Sequence, residues 1–133
     1  PDTVVKELHR LAETLNSAIE GNGIVLIDFW AEWCGPCRAF APVFEKASEA
    51  HPDIVFGKVD TEVERGLAAA ARITSIPTLM AFRDQVLVYS QPGALGGPQL
   101  EQLITAVEAL DMDQVRRSVA SADESATTHA TKD

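Results

Sequence analysis

Two apolar patterns alternate along this chain. Ile24-Val25-Leu26-Ile27-Asp28-Phe29-Trp30 is an almost unbroken β-prone run that follows the turn-forming Gly21-Asn22-Gly23. Such a run predicts a central strand covered on both faces. Ile54 to Asp60 reads as a second buried strand. Between the two, Phe40, Val43, Phe44 and Ala47 recur at helical spacing, so Cys34 to Ala50 reads as a helix that His51-Pro52 ends. Pro42 lies inside it, where the missing backbone donor predicts a kink. Thr61 is placed to cap a helix running to about Ala71, with acids in its first turn. Thr78 to Phe82 and Val86 to Tyr89 read as an antiparallel hairpin joined by Arg83-Asp84-Gln85. Gly96-Gly97-Pro98 opens a last long helix with Leu100, Leu103, Ile104, Val107 and Leu110 on one face.

The two ends are less regular. Leu8, Leu11, Leu15 and Ile19 fit one long helix, but Thr3-Val4-Val5 also fits a short strand before a helix from Leu11 to Glu20. Periodicity alone leaves both open. Residues 1–110 form the predicted domain. Met112, Val115 and Val119 mark one marginal extra helix within 111–120, and 121–133, all Ser, Thr, Ala and charge, reads as a disordered tail. Strands alternating with helices, then a hairpin, then a helix, predict an α/β fold: a three-layer sandwich with a central mixed β-sheet flanked by helices.

Composition narrows the function. With 133 residues and 46% hydrophobic content the chain forms a core without a covalent staple. A formal net charge of −9, with no Lys or Arg stripe, argues against nucleic acid or an anionic membrane as partner. No apolar run is long enough to span a bilayer and no signal-peptide pattern opens the sequence, so a cytoplasmic location is expected.

The chemistry lies in Trp33-Cys34-Gly35-Pro36-Cys37, which holds both cysteines of the chain. A static disulfide closing so small a loop removes little entropy from the unfolded chain. A zinc site needs about four ligands, and His9, His51 and His129 have no ligand spacing relative to the pair. The third reading is a working dithiol. Cys34 falls where a strand ends and a helix begins, and the unpaired N–H groups there stabilise a thiolate. Cys37 is one turn further in, placed to resolve a mixed disulfide formed on Cys34. Asp28 stands in an apolar strand, where desolvation raises a carboxyl's pKa and suits it to proton exchange near neutral pH. Its plainer reading is a buried acid paired with a lysine such as Lys58. Trp33 reads as a contact surface beside Cys34, Trp30 as core, and Pro77 as a turn former.

The stretch from Val25 to Arg38, with the Trp-Cys-Gly-Pro-Cys motif at its end, resembles the active-site strand and helix start of the thioredoxin family. Pro42, Lys58-Val59-Asp60, Ser75-Ile76-Pro77-Thr78 and Pro92-Gly93-Ala94-Leu95 follow in that family's order, over roughly Thr3 to Leu110. The resemblance implies a strand at about Thr3 to Leu8 followed by a helix. It implies a cis peptide before Pro77 that exposes the Ile76 backbone to an extended substrate. It places Asp28 below Cys37 as an aid to deprotonation, with Lys58 nearby. A flat apolar patch of Trp33, Gly35, Pro36, Ile76, Pro77, Gly93 and Ala94 would surround Cys34. Two departures stand out: no glycine in the Arg83-Asp84-Gln85 turn, and Thr74-Ser75 before Ile76 where a glycine is common.

The implied activity is protein-disulfide reduction by dithiol–disulfide exchange, with the Cys34–Cys37 disulfide as the redox centre and no bound cofactor or metal. Electrons would come from a thioredoxin reductase, most often a flavoprotein using NADPH. Targets would be peroxide-, sulfoxide- or ribonucleotide-reducing enzymes, and a monomer is expected. Gly-Pro between the cysteines resembles the reducing members. The rivals are a binding module or chaperone on the same fold, against which the complete pair with Asp28 and Pro77 argues, and an oxidase or isomerase.

Overall fold

The computed structural model describes residues 5–7, 19 and 23–131. One five-stranded sheet contains β1 (Val5–Glu7), β2 (Ile24–Trp30), β3 (Val55–Asp60), β4 (Thr78–Arg83) and β5 (Val86–Pro92) in the order β1-β3-β2-β4-β5. The pairs β1/β3 and β2/β3 are parallel, whereas β2/β4 and β4/β5 are antiparallel, so the sheet is mixed. The helices are α1 (Gly35–Ala50), α2 (Arg65–Ala70), α3 (Gly97–Glu108) and α4 (Met112–Thr131). A strand at the front is present, within the expected Thr3 to Leu8. The helix expected from Leu11 to Glu20 lies outside the described residues except for Ile19, which is helical and buried.

Strand β2 lies between β3 and β4, and its alternation splits the core. Leu26 joins Phe40 and Phe44 of α1, Phe56, Leu79, and Leu100, Ile104 and Val107 of α3 in one cluster. The Phe44 and Phe56 rings meet edge-on at 5.1 Å between centroids, a favoured aromatic geometry. Val25, Ile27 and Phe29 point the other way, onto Leu67 of α2, Val59, Met80 and Ile19. Both faces of β2 are therefore covered, which is why its sequence is apolar without alternation. Asp28 shares a face with Leu26 and Trp30, the face on which α1 packs.

Several boundaries move. The helix after β3 is only Arg65–Ala70, because Thr61 does not cap it. Its hydroxyl and its N–H both donate to the Trp30 carbonyl, at 3.0 and 2.9 Å. Asp60 instead organises a turn, its side chain accepting from the Glu62 N–H at 2.9 Å and its carbonyl from Glu64 at 2.8 Å. At the other end of α2, Arg72 N–H donates to Ala69 and Ile73 N–H to Ala68, the paired bonds of a Schellman motif, with Arg72 in the left-handed region at φ 58°.

Arg83 belongs to β4, so the hairpin turn is Asp84-Gln85 alone, with φ of 50° and 73°. Two positive φ values define a type I′ turn, which matches strand twist but disfavours side chains. Gln85 is exposed and loses little packing when shortened. Gln85→Gly is expected to raise stability by about 0.5–1 kcal/mol, read as a higher urea midpoint at unchanged slope.

The largest departure is at the C-terminal end. The residues read as a short helix followed by a disordered tail form one 20-residue helix, α4, and the tail reading fails for 121–131. Asp111 caps its start, its carboxylate accepting from the Asp113 and Gln114 N–H groups at 3.1 and 3.3 Å, and no Gly or Pro interrupts 112–131, through which Ala recurs. Met112 is buried, and Val115 and Val119 line a groove of about 580 Å³ with Leu87, Val88 and Leu110. Arg116 reaches Asp84 at 3.5 Å. One Arg83 guanidinium nitrogen donates to the carbonyls of Val107, Glu108 and Leu110 at 2.7, 2.8 and 3.0 Å, closing the end of α3. Among the described side chains, Val119 is the last that lines this groove. Truncation after Ala120 is therefore expected to leave the melting temperature and disulfide reduction unchanged. Truncation after Leu110, which exposes the groove and removes Met112, should cost about 1–3 kcal/mol.

Candidate active site

The central strand delivers the site. After Trp30 the chain makes a tight turn in which the Cys34 N–H donates to the Ala31 carbonyl at 3.2 Å. Cys34 is then the N-cap of α1, in extended backbone, with Gly35 and Pro36 opening the helix. Proline is tolerated in this first turn because its missing N–H has no helical partner anyway. Cys34 and Cys37 form a disulfide, their Cα atoms 5.2 Å apart. The Cys37 N–H donates to Cys34 Sγ at 3.2 Å. That donor and the other free N–H groups of the first turn favour negative charge on Cys34 Sγ once the bond opens.

Exposure does not distinguish the two sulfurs, since each cysteine is only 3% exposed. Position does. Cys34 lines a groove of about 410 Å³ with Trp33, Gly35, Pro36 and Ile76, and Cys37 does not. Cys34 Sγ lies 3.8 Å from the Ile76 carbonyl oxygen. The Ile76–Pro77 peptide is cis. Gly93 N–H donates to the Pro77 carbonyl at 2.8 Å, with Gly93 at φ 109°, a conformation that favours glycine. Gly93 thus borders the Pro77 side of the site, with the exposed Ala94 next to it in sequence, and Trp33, Gly35, Pro36 and Ile76 border the Cys34 side. Trp33 is 66% exposed and its indole N–H donates to Glu62 Oε1 at 3.3 Å.

Asp28 is 1% exposed, on the α1 face of the sheet. Lys58 is its register partner across the parallel pair β2/β3. The Lys58 ammonium stands 4.5 Å from the centroid of the Trp30 ring, a cation–π distance. Trp30 therefore combines its packing against the cysteine pair with a seat for this lysine.

The structure places Thr74 and Ser75, noted as a departure in the sequence, in the groove, and adds residues for which the sequence suggested no such place. Thr61, Ala68, Ile73, Thr74 and Ser75 line it, and Val63, 65% exposed, follows Glu62. Thr74 and Ser75 directly precede Ile76 in sequence; Thr61, Ala68 and Ile73 come from a turn and a helix that only folding brings to Cys34. Among the described residues no three His, Cys, Asp or Glu side chains gather as a metal site, and no helix is long and apolar enough to cross a membrane.

The family model described as Thioredoxin matches residues 6–108, most of the chain. This chain belongs to the thioredoxin family. A protein described as putative thioredoxin 2 of Streptomyces coelicolor is 57% identical over 108 residues, covering 81% of this chain and 81% of that protein. The thioredoxin of Mycoplasma pneumoniae is 37% identical over 103 residues, covering 77% of this chain and 97% of the other. The solution structure of oxidised thioredoxin from Plasmodium falciparum superposes with a TM-score of 0.68 at 36% identity, over 77% of this chain and 96% of that one. A mutant thioredoxin from Halobacterium salinarum gives 0.74 at 31% identity, over 83% and 96%. With the family established and the pair at disulfide distance, the thioredoxin-type activity follows. The chain is a dithiol–disulfide oxidoreductase that reduces protein disulfides through Cys34 and Cys37. As in the family generally, this thioredoxin works between a reductase and disulfide-containing targets.

Proposed function

We propose the following division of labour within this thioredoxin. In the dithiol form, Cys34 attacks one sulfur of a substrate disulfide; that S–S bond breaks, and the departing thiolate takes a proton. Cys37 then gives its proton to Asp28 and attacks Cys34 Sγ, releasing the second substrate thiol and leaving the Cys34–Cys37 disulfide. The substrate leaves with two electrons and two protons gained. The observation that carries this order is that Cys34 alone of the pair lines the groove. Asp28 acts as the proton acceptor because it is buried on the α1 face, and Lys58, opposite it in register, keeps positive charge close.

Trp33, Gly35, Pro36 and Ile76 seat an extended segment beside Cys34, with Pro77, Gly93 and Ala94 forming the opposite edge. A substrate strand pairs with the Ile76 backbone, in the manner of an added β-strand. A flavoprotein reductase using NADPH supplies the electrons, and enzymes that reduce peroxides, sulfoxides or ribonucleotides consume them. The protein works as a monomer in the cytoplasm and serves redox homeostasis, with no bound cofactor or metal of its own. Reduction of insulin by dithiothreitol in its presence, followed by titration of the pair against a redox buffer, tests this reading. Rapid turnover and a reducing potential support it; turnover only in the oxidising direction refutes it.

A further inference from the structure

We propose that Thr78 is a positioning residue for substrate recognition: its hydroxyl fixes the edge of the groove by holding the Ser75 carbonyl. Thr78 opens β4 and is 6% exposed, one of few buried polar side chains in the described core. Its neighbours in register are Phe29 of β2 and Pro92 of β5. Within these surroundings Thr78 Oγ1 donates to the Ser75 carbonyl at 2.6 Å, reaching back across Ile76 and Pro77. Of the segment this bond closes, Ser75 and Ile76 line the groove, and Ile76 O is 3.8 Å from Cys34 Sγ.

The segment from Ser75 to Thr78 is held at few points. Gly93 N–H holds the Pro77 carbonyl at 2.8 Å from the β5 side. The Thr78 hydroxyl holds the Ser75 carbonyl from within. Among the described residues Ile76 has no backbone hydrogen bond. Its N–H and carbonyl are thus presented by bonds made on either side of it, and the Thr78 bond sets the direction of the peptide that precedes Ile76. This chain carries Thr74-Ser75 here, residues that need no left-handed backbone; neither has a positive φ. The side-chain hydroxyl therefore has a regular carbonyl to engage.

A buried hydroxyl lost from such a bond leaves the Ser75 carbonyl free to rotate. Small disulfides need only Cys34 Sγ. Protein disulfides also need the aligned backbone of Ile76, so only they should notice. The inference rests on the groove being the substrate seat, and the test separates the two. Thr78→Val keeps the shape and removes the donor; Thr78→Ser keeps the donor. Expected for Thr78→Val is a loss of about tenfold in kcat/KM for insulin, mostly through KM, the size of one buried hydrogen bond. The rate with 5,5′-dithiobis(2-nitrobenzoate), a small disulfide, should stay within twofold, and Thr78→Ser should restore the insulin value. Should Thr78→Val not fold, Thr78→Ala against Thr78→Ser makes the same comparison of the hydroxyl. Equal losses for insulin and the small disulfide, no loss for either, or no recovery in Thr78→Ser overturns the proposal. Trp33→Ala serves as the control: if it raises KM for insulin while the donor-less Thr78 variant does not, the proposal alone fails. If neither moves KM, the groove reading fails with it.

Discussion

Replacing Cys37 with serine is expected to convert a turnover catalyst into a trap. Cys34 remains at the N-terminus of α1, and the residue 37 N–H still points at its sulfur, so attack on a substrate disulfide proceeds. The mixed disulfide then has no internal thiol to break it. Insulin reduction should fall to background, and substrate should accumulate in a covalent adduct that dithiothreitol releases. Non-reducing electrophoresis with mass spectrometry of the adduct reads this directly. The mirror variant, Cys34→Ser, should trap little, because Cys37 does not line the groove. Equal trapping by both variants would show that groove access does not assign the roles.

The second large effect is expected at Asp28. Asn in its place keeps the planar shape and can still fill the site beside Leu26 and Trp30, but it takes no proton at neutral pH. Loss of a positioned proton acceptor should slow release of the mixed disulfide by up to roughly a hundredfold, the lower end of what general base catalysis supplies. The first attack by Cys34 should change far less. The sign with pH is definite: the deficit is largest near neutrality and shrinks as pH rises, because thiols then ionise without help. Stopped-flow tryptophan fluorescence of a single turnover, run across pH, separates the two steps. A deficit that is constant with pH would mean that Asp28 acts on shape alone.

How far the sequence carried the fold depends on where the deciding forces lay. The central strand was legible because Val25, Ile27 and Phe29 face one cluster while Leu26 faces another, so both of its faces had to be apolar. Helix α1 was legible because Phe40, Phe44 and Ala47 repeat with the helical period and Cys34 caps it. The Thr61 reading failed because a threonine hydroxyl has several local acceptors. Here it bonds the Trp30 carbonyl of a neighbouring strand, which no local pattern reveals. The 121–131 reading failed for the opposite reason. Low apolarity was weighed as disorder, when the absence of Gly and Pro left helix propensity unopposed. At the site, the motif residues were found from their spacing, and the family resemblance supplied the patch. Thr61, Ala68 and Ile73 were missed because they reach Cys34 only through the turn after β3 and the Schellman end of α2.

Arg83 has a consequence for how this protein can be handled. It pairs with Ile24 at the start of β2, whereas Cys34 follows the far end of that strand. The guanidinium thus anchors α3 and the root of α4 at the pole opposite the disulfide, about 20 Å away along the seven-residue strand. The groove beside α4 is lined at Leu87 and Val88, on the same side of the sheet's length as Arg83. Cargo attached at the root of α4, at the exposed Asp113, whether a resin, an electrode or a reporter, would sit at that pole and leave the Cys34 groove facing solvent. Oriented immobilisation by that helix should therefore preserve disulfide exchange, while coupling through Lys58 or the Trp33 side should not.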